Sequence, residues 1–180
     1  MVYRYKSKKR EKERFLIILL IILLGISLYF LLPSKGKEFP TISTLPDLST
    51  AGYKKVDVDA GVSDGRGIVT LTADCLRIVA YTEATQAESI ANGLAGKIGF
   101  RPNTHDLMKS AFDSLGIGVV MVKVTGIRNN TFIGKLILKQ GNQILSLDSR
   151  PSDATALAVR TGSPIYVKES LLETYGSKIC

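Results

Sequence analysis

Apolar positions in the later two-thirds of the chain recur with two periods, near two residues in some stretches and near 3.6 in others. The switches between them mark the elements. Residues 53–58 and 68–72 gather β-formers around the turn sequence Ser63-Asp64-Gly65-Arg66-Gly67, which predicts a hairpin, and residues 76–81 predict a third strand. Ala87, Ile90, Ala91 and Leu94 then fall at i, i+3, i+4 and i+7, one face of a helix. A second helix from about Thr104 sets Leu107, Met108, Ala111, Phe112 and Leu115 on one side, before Gly116 ends it. Strands over 117–125, 131–140 and 143–148 follow as a meander, joined by Arg128-Asn129-Asn130 and by Gly141-Asn142, which suits a tight hairpin. A third helix starts at Pro151, where the missing amide is harmless, carries Ala154, Leu157, Ala158 and Thr161 on one face, and stops at Gly162 and Pro164. A short strand over 164–167 and a small helix over 168–175 complete the pattern. Strands and helices without strict alternation predict an α+β domain over residues 53–180, a mostly antiparallel sheet with packed helices.

The front of the chain follows a different pattern. Residues 15–32 hold no charge, and at about 1.5 Å rise per residue they reach roughly 27 Å, enough for a bilayer core. This predicts a single transmembrane helix in contact with the lipid bilayer. Arg4, Lys6, Lys8, Lys9, Arg10, Lys12 and Arg14 precede it against Glu11 and Glu13, while the basic residues just after it are only Lys35 and Lys37. The positive-inside rule then makes residues 1–14 a basic cytoplasmic tail and places the C-terminal domain outside, on a single-pass protein of the cell membrane. A cleaved signal peptide shares the basic start and apolar middle, but its apolar region is usually shorter, and no small-x-small site follows here. The segment therefore reads as an uncleaved anchor. Residues 33–52, rich in Pro, Ser, Thr and Gly, read as a linker.

Charge and cysteine content change the picture only slightly. A net charge of +8 and a pI near 9.5 would suggest a nucleic-acid binder if spread over a domain. Much of that charge belongs instead to the first fourteen residues, facing anionic headgroups. Cys75 and Cys180 imply no disulfide framework; an outside location permits a bridge between them, but a lone pair without metal-type spacing reads more readily as one core thiol and one incidental thiol. His105 is the sole histidine, which argues against a multi-histidine zinc site.

The richest local chemistry lies at Leu147-Asp148-Ser149-Arg150-Pro151-Ser152-Asp153-Ala154, where a strand gives way to a helix with carboxylates flanking an arginine. Together with Thr104-His105-Asp106-Leu107, the meander, Ala156-Leu157-Ala158 and Pro164-Ile165-Tyr166-Val167, this element resembles the bifunctional nuclease (BFN) domain family over roughly residues 53–175. The resemblance implies cleavage of both DNA and RNA, nucleic acid as partner, and an α+β fold that tends to form homodimers or higher homo-oligomers. Two departures stand out. The family usually has a glycine after its third strand and often a glutamate opening the first helix, where this chain has Glu83 and Gln86, and a membrane anchor is unusual for a domain generally found in soluble proteins.

Phosphodiester hydrolysis needs an activated water and stabilisation of phosphate charge, commonly supplied by carboxylate-bound Mg or Mn. Asp148 and Asp153 are candidate ligands for such a divalent metal, with Glu88 a further one. Arg150 would clamp a phosphate, with Ser152 and the helix-start amides beside it, and His105 with Asp106 would act as base, acid or ligand. The same residues have plainer uses: Asp148 or Ser149 as a helix cap, Asp153 against the helix dipole, Arg150 in an ion pair, Asn103 or Thr104 capping the second helix with Asp106 in its first turn, Glu88 on a solvated face. The function implied is a membrane-anchored, metal-dependent nuclease; the alternative is a non-catalytic anion-binding or envelope interaction module on the same fold.

Overall fold

Strand-forming runs after residue 52 sort into two sheets, and they part at Val56. The computed structural model describes residues 14–27 and 48–180. In place of one strand over 53–58, β1 (Tyr53–Lys55) and β2 (Asp57–Ser63) join different sheets, because Val56 is buried and its amide donates to the Ile165 carbonyl at 2.9 Å. β2 pairs with β3 (Arg66–Ala73), whose Val69, Leu71 and Ala73 alternate inward as the period of two requires. β4 (Leu76–Glu83) follows, and its far edge is met by the short β9 (Ser177–Lys178) only at Leu76 and Arg77. That gives a four-stranded sheet in the order β2-β3-β4-β9.

The meander forms as the pattern predicts: β5 (Ile117–Arg128), β6 (Thr131–Gln140) and β7 (Gln143–Ser149) pair antiparallel. β8 (Ile165–Lys168) runs parallel to β5, the one parallel pairing among the described residues, and completes a second sheet in the order β1-β8-β5-β6-β7. Both sheets share a core in which Val69, Leu71 and Ile78 meet Val122, Val124 and Leu136. Helix α4 (Pro151–Thr161) adds Ala154, Ala156, Leu157 and Ala158 to it. Small side chains there let backbone approach backbone.

Helices α2 (Ala84–Leu94), α3 (Thr104–Leu115) and α5 (Glu169–Tyr175) complete the α+β arrangement. The spacing locates α3 correctly but not its surroundings. Leu107 and Leu115, expected inward, are 66% and 61% exposed, and the buried residue of this helix is Asp106. The cysteines also depart from the thiol reading: Cys75 and Cys180 form a disulfide across 105 residues, beside the bond from the Ile179 amide to the Cys75 carbonyl.

Residues 14–27 form a helix, α1, which belongs to a unit separate from Ile42–Cys180. Among the described residues no helix is long and apolar enough to cross a membrane. The span expected over 15–32 continues past residue 27, outside the described residues, as do residues 1–13 of the tail and most of the 33–52 linker.

Candidate active site at three helix starts

Three helices begin around one cleft of roughly 430 Å³. Thr85, Gln86 and Ser89 come from the start of α2, Asn103, Thr104, His105 and Met108 from that of α3, and Arg150, Asp153 and Leu157 from that of α4. Each helix start presents the positive end of its dipole, so their convergence favours an anion.

Local sequence explains each placement. Asn103 caps α3 by accepting from the His105 and Asp106 amides at 2.9 and 3.0 Å, and the Asn103 amide donates in turn to Asp106 Oδ2 at 2.9 Å, forming a capping box. α4 is built differently. Arg150 is its N-cap residue in extended conformation, Pro151 fills the first helical position, and no side chain caps it. The caps expected of Asp148 or Ser149 are therefore not made; Ser149 Oγ donates to the Arg150 carbonyl at 3.2 Å instead. Gly134 makes this junction possible. A Cβ there would stand 2.9 Å from the Ser149 carbonyl oxygen and 3.1 Å from the Pro151 backbone, so only a glycine lets β6 pass so close.

Arg150 and Asp153 form a paired clamp: Nε donates to Asp153 Oδ2 at 2.6 Å and Nη2 to Oδ1 at 3.2 Å. This bond raises the guanidinium pKa further, with smaller help from Glu83. Gln86, with its amide turned to satisfy its neighbours, accepts from Arg150 Nη2 at 3.2 Å and donates to Glu83 at 3.0 Å. The two residues at the departure from the family pattern thus stand beside the clamp. His105 Nε2 lies 3.4 Å from Asp153 Oδ1 across the cleft.

Behind the ring lies a polar network that sequence reasoning did not find. The side chain of Arg160 is buried and donates from Nε to Asp106 Oδ1 at 2.7 Å, from Nη1 to the Ser89 and Ala156 carbonyls at 2.9 and 2.7 Å, and from Nη2 to Ser89 Oγ at 3.0 Å. Asn103 Nδ2 also donates to Ser89 Oγ, at 3.1 Å. With both lone pairs of that oxygen occupied, the hydroxyl proton must point at His105 Nδ1, 3.0 Å away. The neutral ring therefore carries its own proton on Nε2, the nitrogen facing Asp153. Burial lowers the His105 pKa, and the Arg160 charge adds to this, against the opposing pull of Asp153 and Asp106. For Asp106, burial acts upward, yet the bonds from Arg160 and the Asn103 amide win and hold the carboxyl below its usual range.

His105, Arg150 and Asp153 are thus brought together on the cleft. Asp106 stands behind it with both oxygens engaged. Ser152 lines the neighbouring apolar pocket rather than this cleft. Asp148 and Glu88 are exposed and line neither cavity. Among the described residues no group of three or more His, Cys, Asp or Glu is placed to hold a metal ion. The donor set fits a resident divalent ion poorly, since the Asp153 carboxylate is already bound by a guanidinium. The missed residues left faint signals: Ser89 sits between Ala87 and Ile90, and Arg160 follows Ala156 and Leu157 by one turn, polar residues on otherwise apolar helix faces.

Comparison with known proteins covers the same stretch of the chain. The family model for the bifunctional nuclease domain matches residues 71–179, more than half of the chain and all three helix starts. An uncharacterized protein of Mycobacterium tuberculosis (strain ATCC 25618 / H37Rv) is 35% identical over 92 residues, 51% of this chain and 54% of that protein. Bifunctional nuclease 1 of Arabidopsis thaliana is 35% identical and bifunctional nuclease 2 of the same plant 34% identical, each over 82 residues, 44% of this chain and 25% of the plant protein. The chain thus spans about half the length of the mycobacterial relative and a quarter of the plant ones. The matched region carries every residue of the clamp and of the network behind it, and the chain belongs to the bifunctional nuclease domain family.

Proposed function

We propose that the cleft binds a phosphodiester of DNA or RNA and hydrolyses it. The observation that carries this reading is the convergence of three helix starts on Arg150, Asp153 and His105. A non-bridging phosphate oxygen takes the guanidinium of Arg150 and the Nε2–H of His105, which serves as a neutral donor where charge develops. Asp153, released from part of its bond to Arg150 as the phosphate arrives, accepts the proton of the attacking water as the water oxygen bonds to phosphorus; the P–O bond to the leaving sugar oxygen breaks, and that oxygen takes a proton from bulk water. Asp106 and Arg160 act as positioning residues, holding Ser89 and through it the His105 tautomer. Mg or Mn belongs to the proposal as an ion arriving with the phosphate, because magnesium sites commonly combine one or two carboxylates with substrate oxygens. An ion held in this way binds the free protein only weakly, and calorimetry showing tight Mn binding without nucleic acid would contradict this. Cleavage of labelled single-stranded DNA and RNA by the full chain, lost in Arg150→Ala and Asp153→Asn, tests the assignment.

A second reading, an anion-binding module without catalysis, is favoured by one feature: both Asp153 oxygens are already held by Arg150. Saturable binding of an oligonucleotide without any cleavage would select it.

We also propose that the apolar N-terminal helix anchors the protein in the cell membrane, with the domain outside. Support comes from the uncharged run over 15–32 and from the Cys75–Cys180 pairing, since disulfides persist in oxidising compartments. External protease digesting the domain in intact cells is the expected result; protection would place it inside. Exposed Leu107 and Leu115 on α3, with Phe100 before it, support association with a second copy of the chain.

A further inference from the structure

Beside the polar cleft lies a second cavity of roughly 260 Å³, and Arg150 lines both. Its walls come from the two sheets. Val69, Leu71 and Ile78 form the apolar part, Ala80, Tyr81 and Thr82 of β4 form one flank, and Phe132 with Asn130 and Thr131 stands on the hairpin between β5 and β6. β9 covers β4 only at Leu76 and Arg77, so among the described residues no strand pairs with the outer edge of β4 from Ile78 onward. The edge at this cavity therefore offers main-chain donors and acceptors next to apolar surface. Phe132 is held edge-on by Tyr175, ring centroids 6.0 Å apart. At the rim, Asn130 and Ser152 supply polar side chains.

We infer that this cavity is a nucleobase subsite, taking the base of the nucleotide whose phosphate lies on Arg150. The inference rests on the proposed nuclease reading and adds what holds the nucleotide beyond its phosphate. The volume lies below the roughly 300–1,000 Å³ of sites for drug-sized ligands, which suits one planar heterocycle. An aromatic wall gives the ring a stacking partner, and a strand edge with an amide side chain gives its polar rim hydrogen bonds without fixing which base enters. The shared guanidinium sets the spacing, because base and phosphate of one nucleotide must reach neighbouring cavities at once. A side chain of a second copy of this chain is the competing occupant.

The test compares adenosine 5′-monophosphate with ribose 5-phosphate binding to the full chain in detergent, and cleavage of a thymidine oligonucleotide with that of an abasic strand of equal length. The subsite predicts that removing the base weakens binding and cleavage by between about five- and a hundredfold. Phe132→Leu and Tyr81→Ala should lower the base-containing ligands to the level of the base-free ones while leaving the base-free ones unchanged; Tyr81 is 72% exposed, so its variant keeps the fold if the first does not. Equal binding and cleavage with and without the base, both lost in Arg150→Ala, overturns the subsite and leaves the nuclease reading intact. Absence of both phosphate binding and cleavage overturns the nuclease reading and the subsite with it. A Tyr81→Ala variant that changes the oligomeric mass but not the base preference assigns the cavity to a second copy and overturns the proposal.

Discussion

Replacing Arg160 by methionine probes the network behind the cleft most severely. The guanidinium and the Asp106 carboxylate are only 5% and 9% exposed as side chains, and the arginine makes four hydrogen bonds of 2.7–3.0 Å. Removing it leaves Asp106 charged and buried with the Asn103 amide as its remaining strong partner, and takes a second donor from the Ser89 and Ala156 carbonyls, which keep their helical bonds. Breaking a buried pair in this way costs about 3–5 kcal/mol, a large share of the roughly 5–15 kcal/mol that stabilises a domain. The double variant Asp106→Asn, Arg160→Met removes the orphaned charge while keeping an acceptor for the capping box, and should recover half or more of the loss. Urea unfolding of the full chain in non-ionic detergent under oxidising conditions measures both; with seven tyrosines and no tryptophan, near-ultraviolet circular dichroism of tyrosine is the signal. A loss below about 1 kcal/mol for Arg160→Met, or a double variant weaker than the single, would refute the claim that this pair organises the site.

Three further outcomes are expected. Because burial lowers the His105 pKa from 6.5, the unfolded chain takes up the proton first on acidification, so this group's contribution is complete above about 6.5 and is lost as pH falls towards the folded-state value; His105→Asn should lose less stability than the parent between pH 7 and 5, and identical slopes would contradict the burial argument. Opening the Cys75–Cys180 bond by Cys75→Ser with Cys180→Ser releases a loop of 105 residues and should lower stability by roughly 2–4 kcal/mol, read from the urea midpoint; an unchanged midpoint would show that the bond constrains nothing. Leu107→Asp with Leu115→Asp should lower the oligomeric mass measured by light scattering without lowering the melting temperature, and an unaltered mass would remove α3 from any contact between copies.

Much of the architecture was legible because it rests on local rules. The meander, its turns and the helix at Pro151 follow from periodicity and from residues with restricted backbones. Val56 was not legible as a break: a buried valine between two short strands reads like the middle of one, and only the partner at Ile165 shows that the chain changes sheets. The face of α3 was misjudged for a related reason, since periodicity finds an apolar stripe but not what covers it. At the candidate site, Arg150, Asp153 and His105 stand out in the sequence by their charge and share the cleft, whereas Asp148 does not reach it and Arg160 gives little sign in the sequence. Its partners Asp106 and Ser89 lie 54 and 71 residues away in sequence, and no spacing rule links them. The disulfide was similarly hidden, because two cysteines alone carry no pattern.

The central claim is that Arg150, Asp153 and His105 together cleave phosphodiesters, and initial rates on a fluorescent single-stranded oligonucleotide test it most directly. The parent protein should cleave it, Arg150→Ala and Asp153→Asn should each lower the rate by about 10²–10³-fold, and all three should show the same circular dichroism spectrum and unfolding midpoint within about 1 kcal/mol. Cleavage that persists at the parental rate in either folded variant would contradict the account.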